Sequence, residues 1–288
     1  MTPSDGVRRR LANRLAAGPG TAPVPPAEPR TATSLDDSST SAFYDSVSVA
    51  LDATPLGQFS RFLNYGYADS DHDEAVVDLP TGTLDRASVK LVLELVGDHN
   101  LADRLILDVG SGRGGTAATL LEYCAPREVW GVELSPKAVA FCRRSIFDPR
   151  AKFIVGDAQR LPIATAGVDV VTSVESAHCY PDAHRFHAEV RRVIAPGGSF
   201  LYTDILPTDS LSWRRNDLRS LGLEPGVERD ITAQVLAACD LIAERRQASF
   251  DCAEDTLLGD FLAVHGSDTY EAMRQGKSSY FIWRMRRD

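Results

Sequence analysis

From residue 104 onward, short apolar runs alternate with stretches of helical periodicity. The runs are RLILDV (104–109), EVWGVE (128–133), KFIVG (152–156), DVVTSV (169–174) and SFLYTDI (199–205). A strand with one wet face alternates polar and apolar residues. Continuous apolar runs suit parallel strands covered on both faces. Strands alternating with helices imply an open, doubly wound α/β sheet. GVERDI (226–231) adds a sixth strand and SSYFIWRMRR (278–287) a seventh. The last two should be antiparallel neighbours, with helices inserted between them. The expected fold is a Rossmann-like, mostly parallel seven-stranded sheet with a helical cap and an insertion before the last strand.

The flanks differ in composition. Residues 1–40, with GPGTAPVPPAEPRTATS, lack periodicity and read as a disordered tail. Residues 41–103 read as an N-terminal helical cap, and 104–288 as the core with a substrate-binding insertion at about 206–270. In TLDRASVKLVLELV, Leu84, Val89, Val92, Leu93 and Val96 share a helical face, with Thr83 as N-cap. Ser135 and Pro136 open the helix after the second strand. The helix from Asp182 carries Phe186, Val190, Val193 and Ile194 on one face and should stop at PGG (196–198). Residues 206–226, with Trp213, read as a loop, while 232–250 and 256–266 read as helices.

The 288 residues are 43% hydrophobic, enough for a sizeable core, and carry a net charge of −9. That balance argues against a nucleic-acid binder, which needs a basic face. Five cysteines without C-x-x-C spacing fit a reduced, cytoplasmic protein. No apolar run approaches a membrane span, and the paired arginines near the start lack the apolar stretch of an export signal. The expected partner is a small-molecule substrate rather than nucleic acid or membrane; self-association to a homo-oligomer is left open.

LDVGSGRGG (107–115) follows the first strand and opens a helix, the context of a cofactor-binding glycine loop. Its spacing does not distinguish cofactors, but its charge does. A pyrophosphate beside Asp108 would meet a carboxylate, whereas the α-ammonium of S-adenosylmethionine would be attracted to one. Glu133, ending the second strand, suits ribose hydroxyls of either cofactor. Asp157 in GDAQRLP (156–162) suits an adenine amino group, with the Ala158 N–H facing the ring; the alternative for Asp157 is a turn cap.

LDVGSGRGG, WGVELS, GDAQRLP and VVTSVESAHCYPD followed by VRRVIAPGG resemble the successive motifs of class I S-adenosylmethionine-dependent methyltransferases, over about residues 104–205. FLNYGYA (62–68), ESAHCYPD (175–182) and YEAMRQGKSSYFIWRMRR (270–287) are similar to the bacterial small-molecule methyltransferases of natural products and lipids, including the phthiotriol type. The resemblance implies that Asp108, Gly110, Gly112, Glu133, Asp157 and Ala158 bind S-adenosyl-L-methionine. Arg113 stands where the wider class more usually has Thr or Ser.

Methyl transfer needs alignment, and a base only where the acceptor must lose a proton. His178 is the candidate base, with Glu175 positioning cofactor or substrate, or capping a turn; Cys179 reads as packing. Asp204 is a candidate to orient His178 or substrate. Tyr65 and Tyr67, flanking Gly66, are read as closing over the cofactor, with Tyr44 a weaker candidate of that kind. His184 and His187 lack an adjoining carboxylate cluster, so no metal is expected. The reading is O-methylation of a hydroxyl on a small, largely apolar polyketide-like metabolite. The alternatives are C-methylation of an electron-rich carbon or alkene, NAD-dependent oxidoreduction, and a cofactor-binding protein without turnover.

Overall fold

The computed structural model describes residues 37–52, 60–69, 79–80, 82–250, 263 and 265–288. Residues 1–36 of the expected tail and most of the helix expected at 256–266 lie outside them. Seven strands form one sheet: β1 (Leu105–Val109), β2 (Glu128–Glu133), β3 (Ala151–Val155), β4 (Val168–Val174), β5 (Ile194–Pro207), β6 (Leu223–Asp230) and β7 (Ser278–Arg287). Their spatial order is β3-β2-β1-β4-β5-β7-β6. β1 to β5 pair in parallel, and β7 runs antiparallel between β5 and β6. The order reverses at β1, which has β2 on one side and β4 on the other. That switch point opens a crevice at the strands' carboxyl ends, where ligands of such sheets bind.

Helices α1 (Asp37–Asp52), α2 (Arg86–Val96), α3 (Gly115–Tyr123), α4 (Pro136–Ser145), α5 (Ala183–Val193), α6 (Leu211–Ser220), α7 (Thr232–Phe250) and α8 (Asp268–Arg274) surround the sheet. The pleat sends alternate residues of each strand to opposite faces. Ile106 joins Leu91, Val92 and Leu95 of α2 and Leu120 of α3. Leu105 and Leu107 join Phe186 and Val190 of α5, with Phe200 and Tyr202 of β5. Both faces are therefore dry, as the continuous apolar runs require. Burial of a side chain such as Phe186 contributes roughly 1.5–3 kcal/mol.

Four local expectations are corrected. α1 begins at Asp37, inside the expected tail. Thr83 caps no helix: its hydroxyl donates to the Pro80 carbonyl at 2.8 Å, and Asp85, in the left-handed region at φ 50°, precedes α2. Leu84 consequently lies outside the helix and is 77% exposed. The 206–226 segment contains α6, whose Trp213 ring lies 6.3 Å from that of His187 on α5. The Ser135 N-cap stands as expected, its side chain accepting from the Ala138 N–H.

The helix from Asp182 does stop before the PGG stretch, but Ile194 belongs to β5 rather than to the helix face. α5 ends one residue earlier than Ile194, and β5 continues through 196–198 with a register irregularity opposite Val168–Val170. A Cβ on Gly198 would lie 2.4 Å from the Asp169 carbonyl oxygen and 2.9 Å from that of Ala195. Both obstacles are backbone. Gly198→Ala should therefore destabilise the chain by about 1–3 kcal/mol in urea unfolding, while cofactor affinity of the folded protein stays unchanged.

Candidate functional site

β1 delivers the glycine loop to the crevice floor. Gly110 has φ +71°, and a Cβ there would lie 2.4 Å from the Ser176 Cβ, so the β4 corner leaves no room for a side chain. The Ser176 hydroxyl donates to the Val109 carbonyl at 3.1 Å, fixing that approach. Gly112, at φ +50°, is different: a Cβ there would meet nothing nearer than the Leu63 Cδ1 at 4.0 Å, and would project into the cavity's space. The loop thus offers bare backbone where a ligand must come close.

Successive strand ends bring acids to this edge. Glu133 is buried, its Oε2 accepting from the Gly112 N–H at 3.0 Å and Oε1 from the Ser135 N–H at 2.8 Å. Burial pushes its pKa up against the pull of those N–H donors. Asp157 caps a short 3-10 turn (Ala158–Arg160), its Oδ1 accepting from the Gln159 N–H at 2.7 Å, and still lines the cavity beside Ala158. The two sequence readings of Asp157 are therefore compatible. Asp108 is 1% exposed and does not line the cavity; it sits behind the loop. Its Oδ1 accepts from the Thr172 hydroxyl at 2.9 Å, and its Oδ2 has no partner among the described residues. Burial raises its pKa to about 7, with the Thr172 hydroxyl opposing and Glu133 adding to the rise. An orphaned buried carboxylate oxygen behind a bare loop fits a ligand that brings positive charge, as S-adenosylmethionine does.

The strap 60–69 and α1 cover this floor. Tyr65 lines the cavity, while Tyr67, one residue past Gly66, does not. This corrects the expectation for Tyr67: its ring is buried near Lys90 of α2, and its hydroxyl accepts from Arg229 at 3.1 Å. Tyr44 of α1 lines the cavity, with its hydroxyl 3.3 Å from the Cys179 Sγ.

The wall is the corner after β4. Strand pairing sets Val174 opposite Thr203, so the next residues, Glu175 and Asp204, arrive side by side. The His178 Nδ1 lies 2.6 Å from the Asp204 Oδ1, while Asp204 Oδ2 accepts the Ala177 N–H at 2.8 Å and the His178 N–H at 3.1 Å. Asp204 is fully buried; the His178 side chain keeps 30% exposure. Burial works against the imidazolium, but Cys179 and Asp204 prevail and hold its pKa well above the usual value. Because a carboxylate only accepts, Nδ1 carries the hydrogen and Nε2 is left as the basic atom. Glu175, at φ +47°, lines the cavity, but its Oε1 accepts from the Tyr65 N–H at 2.7 Å and from the Tyr280 hydroxyl. It braces the strap against β7. These bonds give Glu175 a bracing role beside the expected one of positioning cofactor or substrate.

His184 and His187 face away from this cavity. Their Nδ1 atoms bond opposite oxygens of Asp217 on α6, at 2.7 and 2.6 Å. Among the described residues no group of three or more His, Cys, Asp or Glu is placed to hold a metal. Sequence reasoning missed Arg61, Asn64, Gln159 and Tyr180 in the lining, and Tyr280 behind it. Asn64, Gln159 and Tyr180 lie within the quoted motifs, whereas strand pairing brings Tyr280 from the far end of the chain.

A model of a methyltransferase domain matches residues 107–202. The phthiotriol/phenolphthiotriol dimycocerosates methyltransferase of Mycobacterium leprae is 30% identical over 237 residues, 79% of this chain and 85% of that protein. The fatty-acid O-methyltransferase of Mycolicibacterium smegmatis is 32% identical over 225 residues, 77% of this chain and 81% of that one. In fold, the geranyl diphosphate C-methyltransferase of Streptomyces coelicolor, solved with Mg2+, geranyl diphosphate and S-adenosyl-L-homocysteine, aligns at TM-score 0.66 and 19% identity, over 90% of this chain and 100% of that one. The [4+2]-cyclase SpnF aligns at 0.67 and 19%, over 87% and 96%. No described helix is long and apolar enough to cross a membrane. These relatives overturn the NAD-dependent oxidoreductase alternative: the chain belongs to the class I S-adenosylmethionine-dependent methyltransferases.

Proposed function

We propose that the chain methylates a hydroxyl of a small, largely apolar lipid or natural-product metabolite, with His178 as general base and Asp204 as the group that positions it. The single observation carrying this reading is the 2.6 Å pairing of His178 with buried Asp204 at the cavity wall. The lipid character of the acceptor is supported by the phthiotriol-type and fatty-acid O-methyltransferase relatives.

S-adenosylmethionine supplies an activated methyl on a cationic sulfur. The bare backbone at Gly110 and Gly112 would let it approach, with Asp108 providing negative charge from behind. Glu133 would accept from the ribose, and Asp157 and Ala158 would hold the adenine. Tyr65 closes the strap over that side, held by Glu175. The cap and strap exclude water and hold the acceptor in line, and alignment of that kind can lower a barrier by up to about 7–11 kcal/mol. His178 Nε2 would take the proton of the acceptor hydroxyl; Asp204 keeps the ring oriented and would stabilise the imidazolium.

Two outcomes follow. Because Cys179 and Asp204 raise the His178 pKa, the basic form accumulates only as pH rises, so kcat/KM should climb with pH through a value above 6.5. Asp204→Asn should move that climb to lower pH and reduce the plateau, and His178→Ala should lower kcat by about 10²–10⁴-fold with cofactor affinity nearly retained. Unchanged turnover in His178→Ala, with the methyl found on carbon by NMR of the product, would assign C-methylation instead.

The second outcome concerns Asp108. A cationic ligand favours its ionised form, so binding should release a proton where the free group titrates near 7. Affinity for adenosylhomocysteine, which keeps the α-ammonium, should rise between pH 6 and 8. Calorimetry in buffers of different ionisation enthalpy should detect the released proton, and Asp108→Asn should abolish it. Glu133, also raised by burial, would still release a proton in that variant if it were the linked group.

A further inference from the structure

Arg113 is the one loop residue whose side chain runs away from the cofactor floor into the cap. It is 1% exposed, although it carries a charge. Its Nε donates to the Ser60 carbonyl at 2.9 Å, Nη1 to the Ser48 carbonyl at 3.2 Å, and Nη2 to the Asp52 Oδ1 at 2.9 Å. The guanidinium also lies over the Phe141 ring, 3.5 Å from its centroid, and Arg144 binds the other oxygen of Asp52. Arg113 thus grips the last turn of α1 and the first described residue of the strap, on both sides of residues 53–59. The preceding residue, Gly112, donates its N–H to Glu133. The middle of α1 is held at the start of α4: Asp45 accepts from the Ser135 hydroxyl and, at 3.3 Å, from the Lys137 N–H. On the N-terminal side of both anchors the helix presents Thr40 and Tyr44 to the cavity.

We propose that Arg113 is a positioning residue that couples occupancy of the cofactor loop to closure of the cap, α1 and the strap, over the methyl acceptor. A ligand that fixes the backbone at Gly112 fixes the base of the Arg113 side chain, and a planar guanidinium with three directed bonds carries that constraint to three cap sites. Lysine, a single point charge on a flexible stem, cannot reproduce that geometry. Reciprocity then requires that an ordered cap tighten cofactor binding in equal measure. The inference needs only the cofactor and does not depend on which atom is methylated or on His178.

The test is hydrogen–deuterium exchange of the full chain with and without saturating adenosylhomocysteine, read on peptides covering 37–52 and 60–69. The expected result is ligand-dependent protection of both in the native protein. In Arg113→Lys that difference vanishes for 37–52, and affinity for adenosylhomocysteine falls by roughly 5–150-fold, the usual range of such coupling. A merely structural role would raise exchange equally with and without ligand and leave the difference intact. Asp52→Asn, which removes one arm at a site with a 38% exposed side chain, should reduce the difference partially and serves if Arg113→Lys fails to fold. Undiminished ligand-dependent protection in either folded variant, or no protection in the native chain, would overturn the proposal.

Discussion

Negative side chains gathered at one edge of the sheet set the terms for everything around them. Asp108, Glu133, Asp157, Glu175 and Asp204 come from five adjacent parallel strands or the turns just after them. Three of them, Asp108, Glu133 and Asp204, are less than a tenth exposed. Carboxylates so placed must be hydrogen-bonded, neutralised or matched by a cation. Each has its own solution. Glu133 accepts loop N–H groups, Glu175 holds Tyr65 and Tyr280, and Asp204 holds three N–H groups and His178. Asp108 alone of the five combines deep burial with an oxygen that has no partner among the described residues. A cofactor bearing positive charge completes that arrangement, and a polyanionic one would add repulsion.

The same acids connect the cofactor floor to its cover. Glu175 ties the strap to β7, which returns antiparallel beside β5 and brings Tyr280 within reach from the far end of the chain. Arg113 ties the glycine loop to α1 through the opposite charge. Backbone glycine gives close approach, acids give charge, and one buried arginine and one glutamate hold the roof. The fold alone would not decide the chemistry, since a cyclase shares it at similar TM-score; the constellation at the strand ends carries the functional argument.

Much of this was legible in the sequence because parallel strands announce themselves as unbroken apolar runs, and because the acids and glycines lie within three residues of a strand end. What was not legible depends on partners far away in sequence. Tyr65 and Tyr67 look equivalent in NYGYA, but the left-handed turn at Gly66 separates them, one facing the cavity and the other Arg229. The PGG stretch reads as a helix stop, yet strand pairing carries β5 through it as an irregularity. Glu175 reads as positioning a ligand or capping a turn, and its bracing bond from Tyr280, 105 residues on, is not visible locally. The role of Arg113 is similarly hidden, because its three acceptors lie 53 to 65 residues earlier.

The claim that this edge of carboxylates selects an ammonium-bearing nucleoside over a pyrophosphate is tested most directly by parallel calorimetric titration with adenosylhomocysteine and oxidised nicotinamide adenine dinucleotide at the same ionic strength. Saturable heat with the first and none with the second is the expected result. Tight binding of the dinucleotide with silence from adenosylhomocysteine would contradict it.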